Sequence, residues 1–247
     1  MGMEQLQLNT IAQKLESLEE TIVYKLIDRA QFSVNDVIYR PGESGFSGEP
    51  YASLFELRLR FQEEIDAQFG RFCVPEERPY TKNLPPARRI VPLPDTGLII
   101  HDFEAINLTQ EILVYYRALV HIICSEGDDG QYGSSVEHDI FALQAIARRI
   151  HYGSLYVAES KFRSDPETYA ALIAEHDSSA LEQLLTRKEV EDAILTRVHE
   201  KVVGVQAQVN TKIRQVIDPE RIVAFYRDCI IPLTKKGEIL YLLGRNR

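Results

Sequence analysis

From Ile11 onward the apolar residues Ile11, Leu15, Leu18, Ile22 and Leu26 recur at steps of four, three, four and four. This is one stripe of a helix and not the alternation of a strand. The spacing predicts a first helix from Glu4 to Gln31. A turn-rich stretch, PGESGFSGEP at 41–50, follows, and Ser53 then opens a second helical run with Leu54, Leu57, Phe61, Ile65 and Phe69 on helical spacing. Residues 84–98, LPPARRIVPLPDTGL, break the pattern, because four prolines deny a helix and predict an extended connector. That run also has the form of a PxxP-like ligand for a partner domain, but a crossover between helices is the simpler reading. A third helix is expected over 104–123, apolar enough to be buried between others. The loop after it, SEGDDGQYGSS, lacks the alternating acidic positions and closing Glu of a calcium loop and reads as a solvated turn. A fourth helix is predicted from Ser135 to Phe162, with Ile140, Leu143, Ile146 and Ile150 on one stripe. Short helices follow at 166–175 and 178–186, then a longer one from Glu189 to Val203. The last runs from Pro219, in its first turn, to Leu243, with a kink expected at Pro232. No segment reads as a strand. The expected fold is all-α, a multi-helix bundle with long helices in a single domain over 1–247.

Charge narrows the partners. The chain carries 28 Lys plus Arg against 37 Asp plus Glu, a net charge of −9, which argues against a sequence-independent nucleic-acid binder. No apolar run approaches the ~18 residues that a membrane span needs. The first twenty residues have neither a secretory nor an organelle-transit pattern. Three cysteines, Cys73, Cys124 and Cys229, include no CxxC pair, so thiols in a reducing compartment, and hence the cytoplasm, are the expectation.

Catalytic signatures of the familiar kinds are absent from the sequence. There is no P-loop, no GxGxxG and no GxSxG, and the six histidines never fall in HExxH spacing. What remains is polar residues at helical spacing on apolar helices: Arg148, Arg149 and Lys161, then Arg187 and Glu191, then Thr234, Lys235 and Glu238. Pointed inward, such cations and carboxylates make a pocket for a small anion. The plainer reading makes Arg187 and Glu191 an ordinary i,i+4 surface pair and Lys235 and Lys236 solvated charges.

Three separated strings change the balance. LEETIVYKLIDRAQF (18–32), RRIHYGSLYVAESKF (148–162) and IIPLTKKGEILYLL (230–243) stand in the order found in the eukaryotic-type, all-helical chorismate mutases, which the chain resembles over nearly its whole length. The resemblance implies a homodimer in which each subunit converts chorismate to prephenate, the branch step toward phenylalanine and tyrosine, with no cofactor and no metal. It implies that Arg149 binds a substrate carboxylate, that Lys161 donates to the ether oxygen, and that Glu238, protonated, is the second donor to that oxygen. Glu191 would accept from the substrate hydroxyl, with Thr234 and Lys235 along the ring and carboxylate side.

The sequence departs from the family in three places at this site. Ala12 stands where the first helix should carry a carboxylate-clamping arginine, and Lys14 lies about 160° away around the helix. This departure supports an alternative, a weak or inactive relative that binds an aromatic acid or a partner. Arg187 stands where fungal members have an asparagine, and its guanidinium would replace the clamp from the opposite wall. Arg149 and Lys161 are twelve residues apart where the family has eleven, so both face one pocket only if the extra residue in GSLY is absorbed, most simply by a π-bulge. The family also has an aromatic amino-acid effector site at the dimer interface. Arg71, Gly133 and Ser134 match it, whereas Gly70 and Glu137 do not, which argues against aromatic control.

Overall fold

A computed structural model describes residues 6–208 and 210–245 of the chain. Helix α1 spans Leu8–Arg29, α2 Leu54–Gln68, α3 Thr109–Ile123 and α4 Tyr132–Tyr152. A π-helical segment, Gly153–Val157, joins α4 without a break to α5, Ala158–Ser164. Then come α6 (Pro166–Ala174), α7 (Ser178–Leu185) and α8 (Lys188–Gln206). Helix α9, Pro219–Phe225, passes through a second π segment, Tyr226–Ile230, into α10, Ile231–Gly244. Among the described residues there is no strand. No described helix is long and apolar enough to cross a membrane.

The helices start where the sequence supplies caps. Ser53 and Glu56 form a reciprocal capping box on α2, and Asp165, Asp177 and Asp218 cap α6, α7 and α9, two of them followed by proline at the first helical position. The first helix contains its whole apolar stripe but begins at Leu8 and ends at Arg29, inside the expected bounds, of which Glu4 lies outside the described residues. The expected start of the fourth helix at Ser135 moves back to Tyr132, which places Gly133 and Ser134 in its first turn and not in a loop. The connector at 84–98 is extended, without helix or strand. The kink expected at Pro232 takes the form of the second π segment. Proline's ring would strike the carbonyl four residues back in a regular turn, and a wider turn ahead of it removes that clash.

Two apolar clusters form the interior. One joins the C-terminal half of α1 to α3, α4, α8 and α9; the other joins Ile11 and Leu18 of α1 to Tyr152–Ala158, α6, α7 and the end of α10. Polar residues tie the first together: buried Arg29 donates to Asp139 at 2.6 Å, and Asp139 also accepts from the hydroxyls of Tyr39 and Tyr116. His151 is buried and its pKa is pulled down to about 4 by desolvation, so it is neutral, and its Nε2 accepts from the Leu108 amide at the start of α3. The long helix crosses from one cluster to the other just after Arg149, and α10 crosses between Leu233 and Tyr241. The polar pocket forms at that crossing.

Candidate active site

Helices α1, α4–α5, α8 and α10 enclose a cavity of about 330 Å³. Its polar wall contains Arg149, Lys161, Arg187, Glu191, Thr234, Lys235 and Glu238, every substrate-site residue expected from the sequence. Ala12 lines it too, as do Leu8, Ile11, Leu15 and Ile194. Arg149 and Lys161 reach the same cavity because the π segment at Gly153–Val157 absorbs the twelfth residue, as their spacing required.

Lys161 Nζ donates to the Leu185 carbonyl at 3.1 Å and stands 3.1 Å from Glu238 Oε2. Burial raises the Glu238 carboxyl above the ordinary range, and the charges of Lys161, Arg149 and Lys235 only partly offset this. Lys235 Nζ meets Glu191 Oε1 at 2.8 Å. Arg149 is buried; it donates through Nη1 to Thr234 Oγ1 at 3.1 Å, its Nη2 lies 4.0 Å from Glu19, and its Nε has no hydrogen-bond partner among the described residues. The guanidinium therefore keeps donors unspent inside the cavity. Arg187 caps the start of α8 and makes no ion pair or hydrogen bond through its side chain among the described residues. The i,i+4 surface pair of Arg187 with Glu191 is thus not formed, since Glu191 turns to Lys235 instead. Of the two lysines read together, Lys235 faces the cavity and Lys236 is exposed and paired with Glu111. Arg148 turns away from the site toward Glu76 and Glu77.

Sequence reasoning missed two supports. Glu19 is fully buried and accepts from Arg197 through both oxygens at 2.8 Å, with Lys201 at 3.5 Å, so it is the anchor behind Arg149. Its signal was a carboxylate sitting seven residues from Ala12 on the buried side of α1. The other support is Ser154 against Gly237: a Cβ at Gly237 would collide with Ser154 Oγ, and that hydroxyl lies 3.2 Å from the Thr234 carbonyl. The absence of a side chain at Gly237 lets α10 approach the π segment closely enough to bring Thr234 to Arg149.

Among the described residues no group of three His, Cys, Asp or Glu side chains could hold a metal. No family model matches the sequence. The curated chorismate mutase of Schizosaccharomyces pombe is 38% identical over 248 residues, covering 98% of this chain and 97% of its own. The chain belongs to the chorismate mutase family. Among solved structures, the Candida albicans chorismate mutase in complex with L-Trp superposes with a TM-score of 0.91 at 34% identity, over 100% of this chain and 94% of that one. The chorismate mutase AtCM1 with tyrosine bound in its allosteric site gives a TM-score of 0.85 at 35% identity, over 99% of this chain and 98% of that one. Zea mays relatives are described as chloroplastic and as cytosolic.

The positions matched to the family's effector site are not gathered in one place within this chain. Arg71 donates to Gln144 at 2.6 Å, Glu77 at 3.0 Å and Asp66 at 3.1 Å. Gln144 lies ten residues beyond Ser134, about 15 Å along α4. Gly70 closes α2 in the left-handed region at φ 84°, and a Cβ there would collide with Val91 Cγ2 of the connector.

Proposed function

We infer that this protein converts chorismate to prephenate in the cavity between α1, α4–α5, α8 and α10, at the branch toward phenylalanine and tyrosine. The observation that carries the reading is the charge of the wall: four cations, Arg149, Lys161, Arg187 and Lys235, face the carboxyl groups of Glu191 and Glu238. With Glu238 protonated only Glu191 opposes them, an excess that suits a substrate with two carboxylates. The reaction breaks the C–O bond of the ether and forms a C–C bond in one concerted step, so no proton, electron or external group has to be supplied. The protein's task is to hold the flexible dianion in its compact conformer and to stabilise the negative charge that grows on the ether oxygen.

Lys161 Nζ and the Glu238 carboxyl stand 3.1 Å apart, close enough for one ether oxygen to meet both donors. Glu238 donates only when it carries its proton, and its raised pKa favours that form. Arg149, held by Glu19 and Thr234, takes one carboxylate. Arg187, at the start of α8 across the cavity from Ala12 and without an internal partner among the described residues, takes the other in place of the missing arginine. Glu191 accepts from the substrate hydroxyl, and Lys235 positions Glu191 while adding to the carboxylate side. The pocket draws on residues 8 to 238, which supports one catalytic domain. The reading as a non-catalytic relative, raised by Ala12, draws no support from the relatives or from a wall that keeps every other polar group.

The working unit is a homodimer in the cytosol. Phe61, Ile65 and Phe69 stand exposed at steps of four along α2, an apolar stripe suited to a second copy. Aromatic amino acids leave the rate unchanged, because Arg71 is already engaged and Gly70 supplies no second guanidinium. Loss of chorismate absorbance, followed with purified protein from about pH 5 to pH 8, with and without tyrosine, phenylalanine and tryptophan, tests the reaction and its indifference to aromatic amino acids. Turnover at ordinary enzymatic rates is expected. A folded protein that leaves chorismate to its uncatalysed rate would refute the assignment.

A further inference from the structure

A second and larger cavity lies behind the first. It encloses about 580 Å³, and its wall includes Lys14 of α1, Glu76, and Arg148, Tyr152 and Tyr156 of the long helix. The proline-rich connector closes it, through Leu93, Pro94, Thr96, Leu98 and Ile100. Helix geometry explains why the two cavities share walls. Lys14 is two residues from Ala12, and so faces the other way, and Arg148 is one residue from Arg149.

The connector is held down and is not draped loosely over the opening. The Ile99 amide donates to Tyr241 Oη at 3.1 Å, Arg163 donates to the Gly97 carbonyl, and the Arg88 amide donates to the Gln68 carbonyl at 2.9 Å. Tyr241 and Arg163 both also bond to buried Glu159, which therefore fixes the roof to α5.

Inside, polar groups are left without partners. Tyr152 is 7% exposed, yet its hydroxyl makes no hydrogen bond among the described residues. Burial pushes its pKa up to about 12, so it remains a donor at any ordinary pH. Tyr156 stacks on it with ring centroids 4.3 Å apart. The Lys14 ammonium is half-buried and likewise has no partner among the described residues. Arg148 is different, since Glu76 and Glu77 stand 3.7 and 3.3 Å from it. Arg148 is thus balanced by carboxylates, and the Lys14 ammonium is the cation of this wall left without a partner among the described residues. Val74, Leu98, Ile100 and Phe103 supply an apolar part of the lining, with the hydroxyls of Thr10 and Thr96 beside it.

We propose that the cavity beneath the connector is a second small-molecule site, which takes a monocarboxylate with an apolar ring, its carboxylate partnered by Lys14 and the Tyr152 hydroxyl. The one ammonium left without a partner selects a single negative charge, and the apolar part of the wall rewards burial of the ring. A substrate with two carboxylates would bring one of them against Glu76 or an apolar surface, so the site is built against the ligand of the neighbouring cavity.

The test uses the full chain and hydrocinnamate as the probe, with binding followed by titration calorimetry. Saturable binding is expected in the parent protein, weakened about tenfold by Lys14→Ala and severalfold by Tyr152→Phe, and kept in Lys235→Ala and in Arg71→Ala. The uncharged hydrocinnamyl alcohol should bind about tenfold more weakly than the acid to the parent and equally to Lys14→Ala. Circular dichroism confirms that each variant is folded, and Lys14→Ala should retain the parent's chorismate turnover. Absence of binding in the parent overturns the proposal. So does binding that survives Lys14→Ala but disappears in Lys235→Ala or Arg71→Ala, since it would place the ligand in the catalytic cavity or beside Arg71.

Discussion

Arg148 and Arg149 are neighbours in the chain, about 100° apart around one helix, and they serve different cavities. Arg149 is buried, leans on Thr234 and Glu19, and keeps donors free for a ligand; Arg148 is largely taken up by Glu76 and Glu77. The same division runs along α1, where Ala12 faces the catalytic cavity and Lys14 the one behind it. In one cavity four cations face two carboxyl groups, whereas in the other Arg148 is balanced by Glu76 and Glu77 and Lys14 alone has no partner among the described residues. What a helix recognises is therefore decided by angular position and by what the next helix places opposite. A pair of adjacent arginines is not a functional unit, even though it reads as one in the sequence.

The contrast is sharpest in Arg149, which in the proposed mechanism meets the substrate. Arg149→Ala should lower kcat/KM by about 10²–10³-fold, the scale for losing a charge-stabilising donor in a buried site, measured by chorismate consumption on folded protein. Arg187→Ala should cost about tenfold or more, with most of the loss in turnover of the dianion and little in affinity for a neutral ring compound. Ala12→Arg restores the clamp from the opposite wall, so it should rescue the Arg187→Ala variant more than it improves the parent, a coupling that a double-mutant cycle reads directly.

A smaller effect comes from Glu238. Its carboxyl has a raised pKa, so the folded protein holds this proton more firmly than the unfolded chain does. The associated stability is fully present below the ordinary glutamate range and is lost as pH rises through the raised value. With Glu238 in its proposed role activity should follow the same direction, because the donor to the ether oxygen would disappear with the proton. Turnover should thus fall on the alkaline side, and Glu238→Gln, which keeps a donor at every pH, should flatten that limb of the profile. The smallest catalytic effect is expected from Arg148→Ala. Turnover should stay within about threefold, while the melting temperature drops because buried Glu76 loses its cation and Glu77 keeps only Arg71. A large catalytic loss there would break the division between the two cavities.

Much of this was legible in the sequence, and what was not has a common cause. Periodicity located the helices because each buries a stripe, and Ser53, Asp165 and Asp218 mark their starts. One residue too many between Arg149 and Lys161 was enough to require the first π segment. Periodicity could not show which partner a charge would choose. Glu191 chose Lys235 over Arg187 four residues away, and Glu19, unremarkable in a run of glutamates, became the anchor of the pocket. The closeness of Gly237 to Ser154 and the widening ahead of Pro232 likewise depend on packing between elements distant in the chain.

Gly70 ties two parts of the molecule together. Its left-handed backbone ends α2, and the space where a side chain would stand is filled by Val91, two residues ahead of the Leu93 that roofs the rear cavity. A side chain introduced at this position would strain the helix end and press on the connector at once. The end of α2 and the roof of the rear cavity are thus one joint, and a change made at the first is felt at the second.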